Sequence, residues 1–331
     1  TGINRNDYAA NFDDFLAQRP KGKPFSFWMG FHEPHRAYER DSGVRFGKNP
    51  ADVKVPAYLP DMSVTRGDLA DYAVEVEWAD GHIGRALRSL EAAGELENTL
   101  IVVTSDHGMP FPYVKGQIHE DGFHLPLAMR WGRGIKPGRV VDDFVCLPAL
   151  APTFMEIGGV PPPAGLYGRS LLSLLRQTGS GQIEPERTWV ITGRERHVED
   201  ARDGFRPYPM RALRTRDFIY IRNFAPDRWP MGTAKRALDA DVSDQTLEMT
   251  PRVGFADMDS SPTKAWLVAH RHDPKWKWFY EFAFNKRPGE ELYDLKKDPD
   301  QIRNLADDPA YAKQKQQLSA RLLHMLTEAK D

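Results

Sequence analysis

The sequence has a single cysteine, Cys146, among 331 residues. An internal disulfide framework is thereby excluded, and the core must be held by packing and hydrogen bonds. It has no surplus of either charge: 45 lysines and arginines stand against 47 aspartates and glutamates, for a net charge of -2. No global field therefore selects nucleic acid or an anionic membrane, and any attraction for anions has to be local. It has no apolar run approaching the roughly 18 residues that a membrane span needs. No basic-then-apolar segment opens it in the manner of a signal peptide, and it has no internal repeat or low-complexity tract.

What is present is the composition of a globular protein, 40% hydrophobic and 28% charged, with length for one large domain and a smaller appendage. The opening "TGINRNDYAANFDDFLAQRP" reads as an amphipathic helix already under way, with Tyr8, Phe12, Phe15 and Leu16 on one face. The expectation is therefore that the natural beginning of the protein lies upstream. The apolar run Pro24 to Phe31 suits a buried strand and ends in His32 and His35. Residues 37–66 are polar and punctuated by proline, with "VPAYLPD" read as a surface loop. Leu69, Ala73, Val76, Ala79, Ile83, Leu87 and Leu90 then recur at three and four, which predicts a long helix closed by Gly94.

That helix leads into a strand at Leu100 to Thr104, followed by a second strand at Pro126 to Trp131. The segment "VCLPALAPTFMEIGG" predicts a helix ended by Gly158 and Gly159. Strand and helix alternate, and the strands are continuously apolar. This predicts an α/β class with a mostly parallel sheet sandwiched by helices. From about residue 185 the texture changes to short strand-like runs separated by turns, closed by a helix at Tyr311 to Ala329. Residues 1–184 are accordingly assigned to the main α/β domain. Residues 185–331 are assigned to a smaller C-terminal α+β domain carrying an antiparallel sheet.

In open parallel sheets, ligands sit beyond the carboxyl ends of the strands. The strand ending in "TSDHG" delivers Asp106 and His107 to that rim, and Lys115 follows; the run ending in "FHEPH" delivers His32 and His35. Taken alone, an Asp-His pair after a strand can be a cap and a turn, and a lone histidine is often hydrogen-bonded structure. Together the groups suit another purpose. A carboxylate holds a hard cation, the cation draws in an oxyanion, and a lysine adds a point charge to the same oxygen. On spacing alone, the histidine in the pair suggests manganese or zinc.

These residues carry a family resemblance. "TSDHG" followed by "KGQIHEDGFHLPLAMRWG" resembles the sulfatase pattern, and the likeness continues through "FHEPHR", the helix before "TSDHG", "LPALAPTFMEIGGVPPP" and "ELYDLKKDPDQIRNLADDP". Within that family, "FHEPHR" and "PYPMRALRTRDF" look most like the N-sulfoglucosamine sulfohydrolases. The resemblance implies an alkaline-phosphatase-like fold and hydrolysis of a sulfate ester or sulfamate on a glycosaminoglycan-type sugar. It implies Ca2+ ligation by Asp106 and His107, sulfate contact by Lys115, and a proton-donating role for His32 at the leaving atom. His35 is implied as a substrate or supporting residue. It also favours a periplasmic or secreted location. Within "GRERHVEDARDGFRPYPMR", Glu195, His197 and Arg211 are candidate contacts to a sulfated sugar, Arg211 through its planar fork. His119 and His124 stand where tyrosine and arginine are frequent in the family.

The family's nucleophile motif, a cysteine or serine in C/S-x-P-S-R that becomes formylglycine, does not occur. "CLPAL" at Cys146 and "SSPTK" at Ser260 lack its Ser-Arg tail, and Cys146 is expected to be a small buried thiol on a helix. The first pair of metal-binding aspartates is also missing. The expectation is that the formylglycine lies in an N-terminal segment outside this chain, which contributes half of the metal site. Two alternatives stand beside it: a metal-dependent phosphodiesterase or phosphonate hydrolase of the same superfamily, and a non-catalytic anion-binding fragment without the nucleophile.

Overall fold

The computed structural model describes residues 3–331. The first part comprises α1 (Tyr8–Gln18), α2 (Ser42–Arg45), α3 (Ser63–Ala92), β1 (Ile101–Thr104), α4 (Glu120–Phe123), β2 (Leu127–Arg130), α5 (Leu150–Ile157) and α6 (Leu172–Arg176). The second comprises β3 (Trp189–Arg194), β4 (Met210–Thr215), β5 (Phe218–Asn223), α7 (Asp244–Met249), α8 (Pro262–Ala269), α9 (Lys277–Phe284), β6 (Glu290–Asp294) and α10 (Ala312–Ala329).

Helix α3 is the spine of the first part, and it ends where its sequence says. Gly94 takes φ +71, its N–H reaches Glu91 O, and Glu95 N–H reaches Leu90 O, closing the last turn with a left-handed residue. The apolar face of α3 packs Ala86 and Leu90 against Phe12 of α1 and against Phe25, Phe27 and Met29. Helix α5 likewise stops at Gly158, with Gly159 at φ +74.

Three local expectations are corrected. The run Pro24 to Phe31 is extended but has no ladder partner among the described residues, and β1 pairs with β2 antiparallel, not parallel. The reason is legible in the burial. Phe25, Phe27, Met29 and Phe31 turn toward α1 and α3, whereas Ser26 and Trp28 are exposed, Trp28 at 89%. A continuous apolar run is here buried on one side only, with period two. Cys146 precedes a short 3-10 turn, Leu147–Ala149, instead of lying within a helix.

The second sheet has the order β3-β4-β5-β6, antiparallel throughout. Its register puts Leu213, Tyr220 and Leu292 side by side on one face, where Leu318, Leu322 and Leu326 of α10 cover them. The other face, with Ala212, Ile219, Ile221 and Tyr293, packs against Ile118 and Phe123. Both of those residues follow β1 in the chain. The antiparallel sheet thus buttresses the loop that leaves β1, which is how the second part comes to position the candidate site.

Candidate functional site

The loop after β1 is held by its own apolar residues. Phe111, Tyr113 and Val114 are fully buried with Tyr58, Leu59 and Leu69, and Gly108 N–H bonds Gly122 O at 3.1 Å. Between these anchors Lys115 is drawn inward until only 4% of it is exposed. An ammonium so placed needs partners, and it has two. Nζ lies 2.6 Å from Asp259 Oδ2 and 3.3 Å from His35 Nε2. Burial alone would raise the Asp259 carboxyl. The ammonium of Lys115, with smaller help from His35 and Arg36, outweighs that and holds it below the usual carboxylate range.

His35 is oriented by its other nitrogen. Nδ1 lies 2.6 Å from Arg36 O; a carbonyl only accepts, so Nδ1 carries the proton and Nε2 is free to accept from Lys115. The turn that carries both histidines is pinned from α1. Tyr8 OH accepts from His32 N–H at 3.0 Å and donates to Glu33 Oε2 at 2.8 Å. The His32 and His35 rings stand 5.3 Å apart, and both residues are exposed. Beneath them Arg36 is buried on Asp68, which also accepts from Thr263 Oγ1 at the start of α8.

Asp106 and His107 leave the end of β1 toward solvent. Asp106 Oδ1 accepts from His107 N–H, and His107 Nδ1 is taken by Gly108 O. Asp106 Oδ2 and His107 Nε2 remain, 3.7 Å apart. An anionic oxygen and an imidazole nitrogen at that separation fit as two ligands of one divalent cation. Among the described residues, no set of three or more His, Cys, Asp or Glu residues gathers around one point. The pair is therefore a partial donor set. His197 lies beside Gly116, the residue after Lys115, its ring 6.5 Å from that of His107 and 3.4 Å from where a Cβ on Gly116 would lie.

The structure thus brings His32, His35, Lys115 and His197 into one neighbourhood, with Asp106 and His107 at its edge. It does not bring Glu195 and Arg211 there. Arg211 is bound by Glu195 at 2.7 Å and by both oxygens of Asp331, so its fork is already filled. His119 is buried against Glu291 and packs at a tilt on the Tyr113 ring, and His124 is tied to Glu120. Cys146 is half-buried, and burial pushes its thiol up, away from a reactive thiolate.

Three residues absent from the sequence reading complete the site. Asp259 partners Lys115. Asp257, fully buried, accepts from Val198 N–H and Arg202 and so anchors the segment after β3. Arg36 braces the histidine turn. The available signal was the paired acids in "FADMDSSPTK", just before the Ser261 cap of α8.

Comparison with known proteins bears on the same features. The family model described as Sulfatase matches residues 1–160. The N-sulphoglucosamine sulphohydrolase of Homo sapiens is 27% identical over 348 residues, covering 95% of this chain and 62% of the relative. An ulvan-active sulfatase of Formosa agariphila is 25% identical, covering 91% of this chain and 45% of the relative. The chain therefore spans about half of the length of the curated relatives it matches. Among solved structures, a putative sulfatase from Bacteroides fragilis superposes with a TM-score of 0.66 at 16% identity, covering 98% of this chain and 58% of that one. The phosphonate monoester hydrolase of Agrobacterium radiobacter gives 0.62 at 19%, covering 97% and 60%. The fold is the alkaline-phosphatase-like α/β class, with the antiparallel sheet in its C-terminal region.

Proposed function

We propose that the protein, whose residues 1–160 match the family model described as Sulfatase, hydrolyses a sulfate ester or sulfamate on a glycosaminoglycan-type sugar. On this reading residues 1–184 belong to the catalytic domain and residues 185–331 to the smaller one. The observation that carries the proposal is the buried Lys115 ammonium, turned toward two exposed imidazoles. An ammonium has three protons; Asp259 and His35 take two, and the third is left for an oxyanion.

In this scheme Lys115 holds a non-bridging oxygen of the sulfuryl group, and His35 keeps the ammonium oriented. The His32 imidazole passes a proton to the departing alcohol oxygen or amine nitrogen. Asp106 and His107 would hold a divalent cation, Ca2+ by the family resemblance, which when bound adds positive charge opposite the same oxyanion. The attacking oxygen comes from a formylglycine, which the resemblance assigns to a segment outside this chain. The likeness to the human sulphohydrolase, whose name specifies N-sulphoglucosamine, favours a sulfamate-bearing amino sugar. A solved structure with a TM-score of 0.54 at 23% identity, titled as a complex with its substrate D-glucosamine-2-N,6-O-disulfate, supports the same sugar class.

The test is to incubate the natural protein containing this chain with para-nitrophenyl sulfate, glucosamine 2-N-sulfate and a phosphodiester in parallel. Release of sulfate that is lost in Lys115→Ala is the expected result. Turnover of the phosphodiester alone would replace this reading with the phosphodiesterase one. Sulfate binding without any turnover would make the protein a binding module.

A further inference from the structure

We propose that Asp259 is a substrate-recognition residue that reads a hydroxyl or amino N–H donor on the sugar, next to the group being transferred. This rests on the sulfatase reading of the same site.

A buried lysine requires a counter-charge, and the simplest role for Asp259 would be to supply it. The other buried acids nearby show what such a structural partner looks like here. Asp68 has both carboxylate oxygens committed, one to Arg36 and the other to Arg36 and Thr263, and its side chain is 2% exposed. Asp257 is the same: Oδ1 accepts from Val198 N–H, Oδ2 from Arg202, and its side chain is fully buried. Asp259 differs on both counts. Oδ2 is bound by Lys115, Oδ1 receives no hydrogen bond among the described residues, and the side chain is 18% exposed. One lone-pair face of an ionised carboxylate is thus presented beside the ammonium that is to receive the substrate oxyanion.

The position is also held firmly. Lys264, fully buried at α8, donates to Gly254 O, Phe255 O and Met258 O, using all three protons of its ammonium on the segment that leads to Asp259. Ser261 caps α8 immediately after it. A carboxylate fixed next to an anion site repels a bare anion and rewards a ligand that brings a hydrogen-bond donor to the same place. Inorganic sulfate, and simple sulfates without donors, gain from Lys115 but meet Asp259 as like charge. A sulfated amino sugar carries hydroxyl and N–H donors around its sulfate and can satisfy Oδ1. A site so built selects the organic substrate over the free sulfate ion it releases.

The experiment compares calorimetric binding of methyl sulfate and of glucosamine 2-N-sulfate to the natural protein and to its Asp259→Asn, Asp259→Ser and Lys115→Ala variants. Wild type is expected to bind the amino sugar at least about tenfold more tightly than methyl sulfate. Asp259→Asn should tighten methyl sulfate binding and shrink the ratio about fivefold or more; Asp259→Ser serves if the amide variant does not fold. A wild-type ratio near one overturns the inference without any variant. An unchanged ratio in Asp259→Asn, with anion binding lost in Lys115→Ala, overturns it alone and makes Asp259 a counter-ion. Undiminished binding in Lys115→Ala would remove the sulfatase reading and this inference with it.

Discussion

Arg36 and Asp68 form a two-pronged ion pair inside the protein, with Nη1–Oδ1 at 2.7 Å and Nη2–Oδ2 at 3.0 Å. The pair joins four segments that are separate in sequence. Arg36 follows the histidine turn and donates through Nε to Pro110 O in the Lys115 loop; Asp68 lies on α3; Thr263 of α8 adds a third contact. Removing one partner leaves the other charge buried and alone. Asp68→Ala is expected to cost about 3–5 kcal/mol in urea denaturation, and Arg36→Lys to destabilise too, because an ammonium cannot match both oxygens.

Gly108 bears on the loop itself. A Cβ there would lie 1.7 Å from Asp121 O and 2.8 Å from Asp121 C, backbone atoms that cannot swing aside. Gly108→Ala is expected to destabilise by about 3 kcal/mol or more and to displace His107. Gly67→Ala in α3, where nothing lies within 4 Å, is the control and should stabilise by roughly 0.4–1 kcal/mol. Thermal melts of the two variants would show whether both effects are equal, an outcome that contradicts this account.

Glu75 on α3 is 4% exposed, and burial, together with the Glu33 charge, pushes its carboxyl up to about 7. The folded state therefore keeps a proton that the unfolded chain releases, and stability falls as pH rises from the ordinary carboxylate range through about 7. Glu75→Gln should raise the melting temperature at pH 8, by roughly 1–3 kcal/mol of stability, and leave it unchanged near pH 4. A gain of the same size at both pH values would count against burial as the cause.

Glu120 shifts the other way. Burial opposes its charge, yet His124 and Arg214, the latter through two bonds of 2.7 and 2.9 Å, hold its carboxyl down to about 2. A depressed carboxyl contributes stability above its unfolded value, and that contribution is lost as pH falls toward about 2. Glu120→Gln should cost about 2–3 kcal/mol at pH 7 and converge with wild type near pH 2, as read from denaturant midpoints across that range. Because Glu120 ties the Lys115 loop to β4, sulfate affinity should fall with it at pH 7.

The sequence offered candidates where the groups are local. Asp106, His107 and Lys115 lie within one loop, and His32 and His35 within one turn, so residue type and position after an apolar run sufficed to name them as candidates. Asp259 was not readable, since 144 residues separate it from Lys115 and its neighbours, Ser260, Ser261 and Pro262, resemble any capped turn. Arg211 shows the reverse. Its planar fork suited a ligand on paper, but the fold spends it on Glu195 and on Asp331 at the far end of α10.

The amino-acid pattern by itself settled helices α1, α3, α5 and α10 and the stops of α3 and α5, and it named the groups after β1 as candidates, because caps, periodicity and turn residues act over a few positions. Tertiary structure alone decided that Pro24 to Phe31 packs on one side only, that β1 and β2 run antiparallel, and which carboxylate faces Lys115. Those outcomes depend on which distant segments share a surface. A buried charge will take whichever partner the assembled core brings within reach, and no short stretch of sequence records that choice.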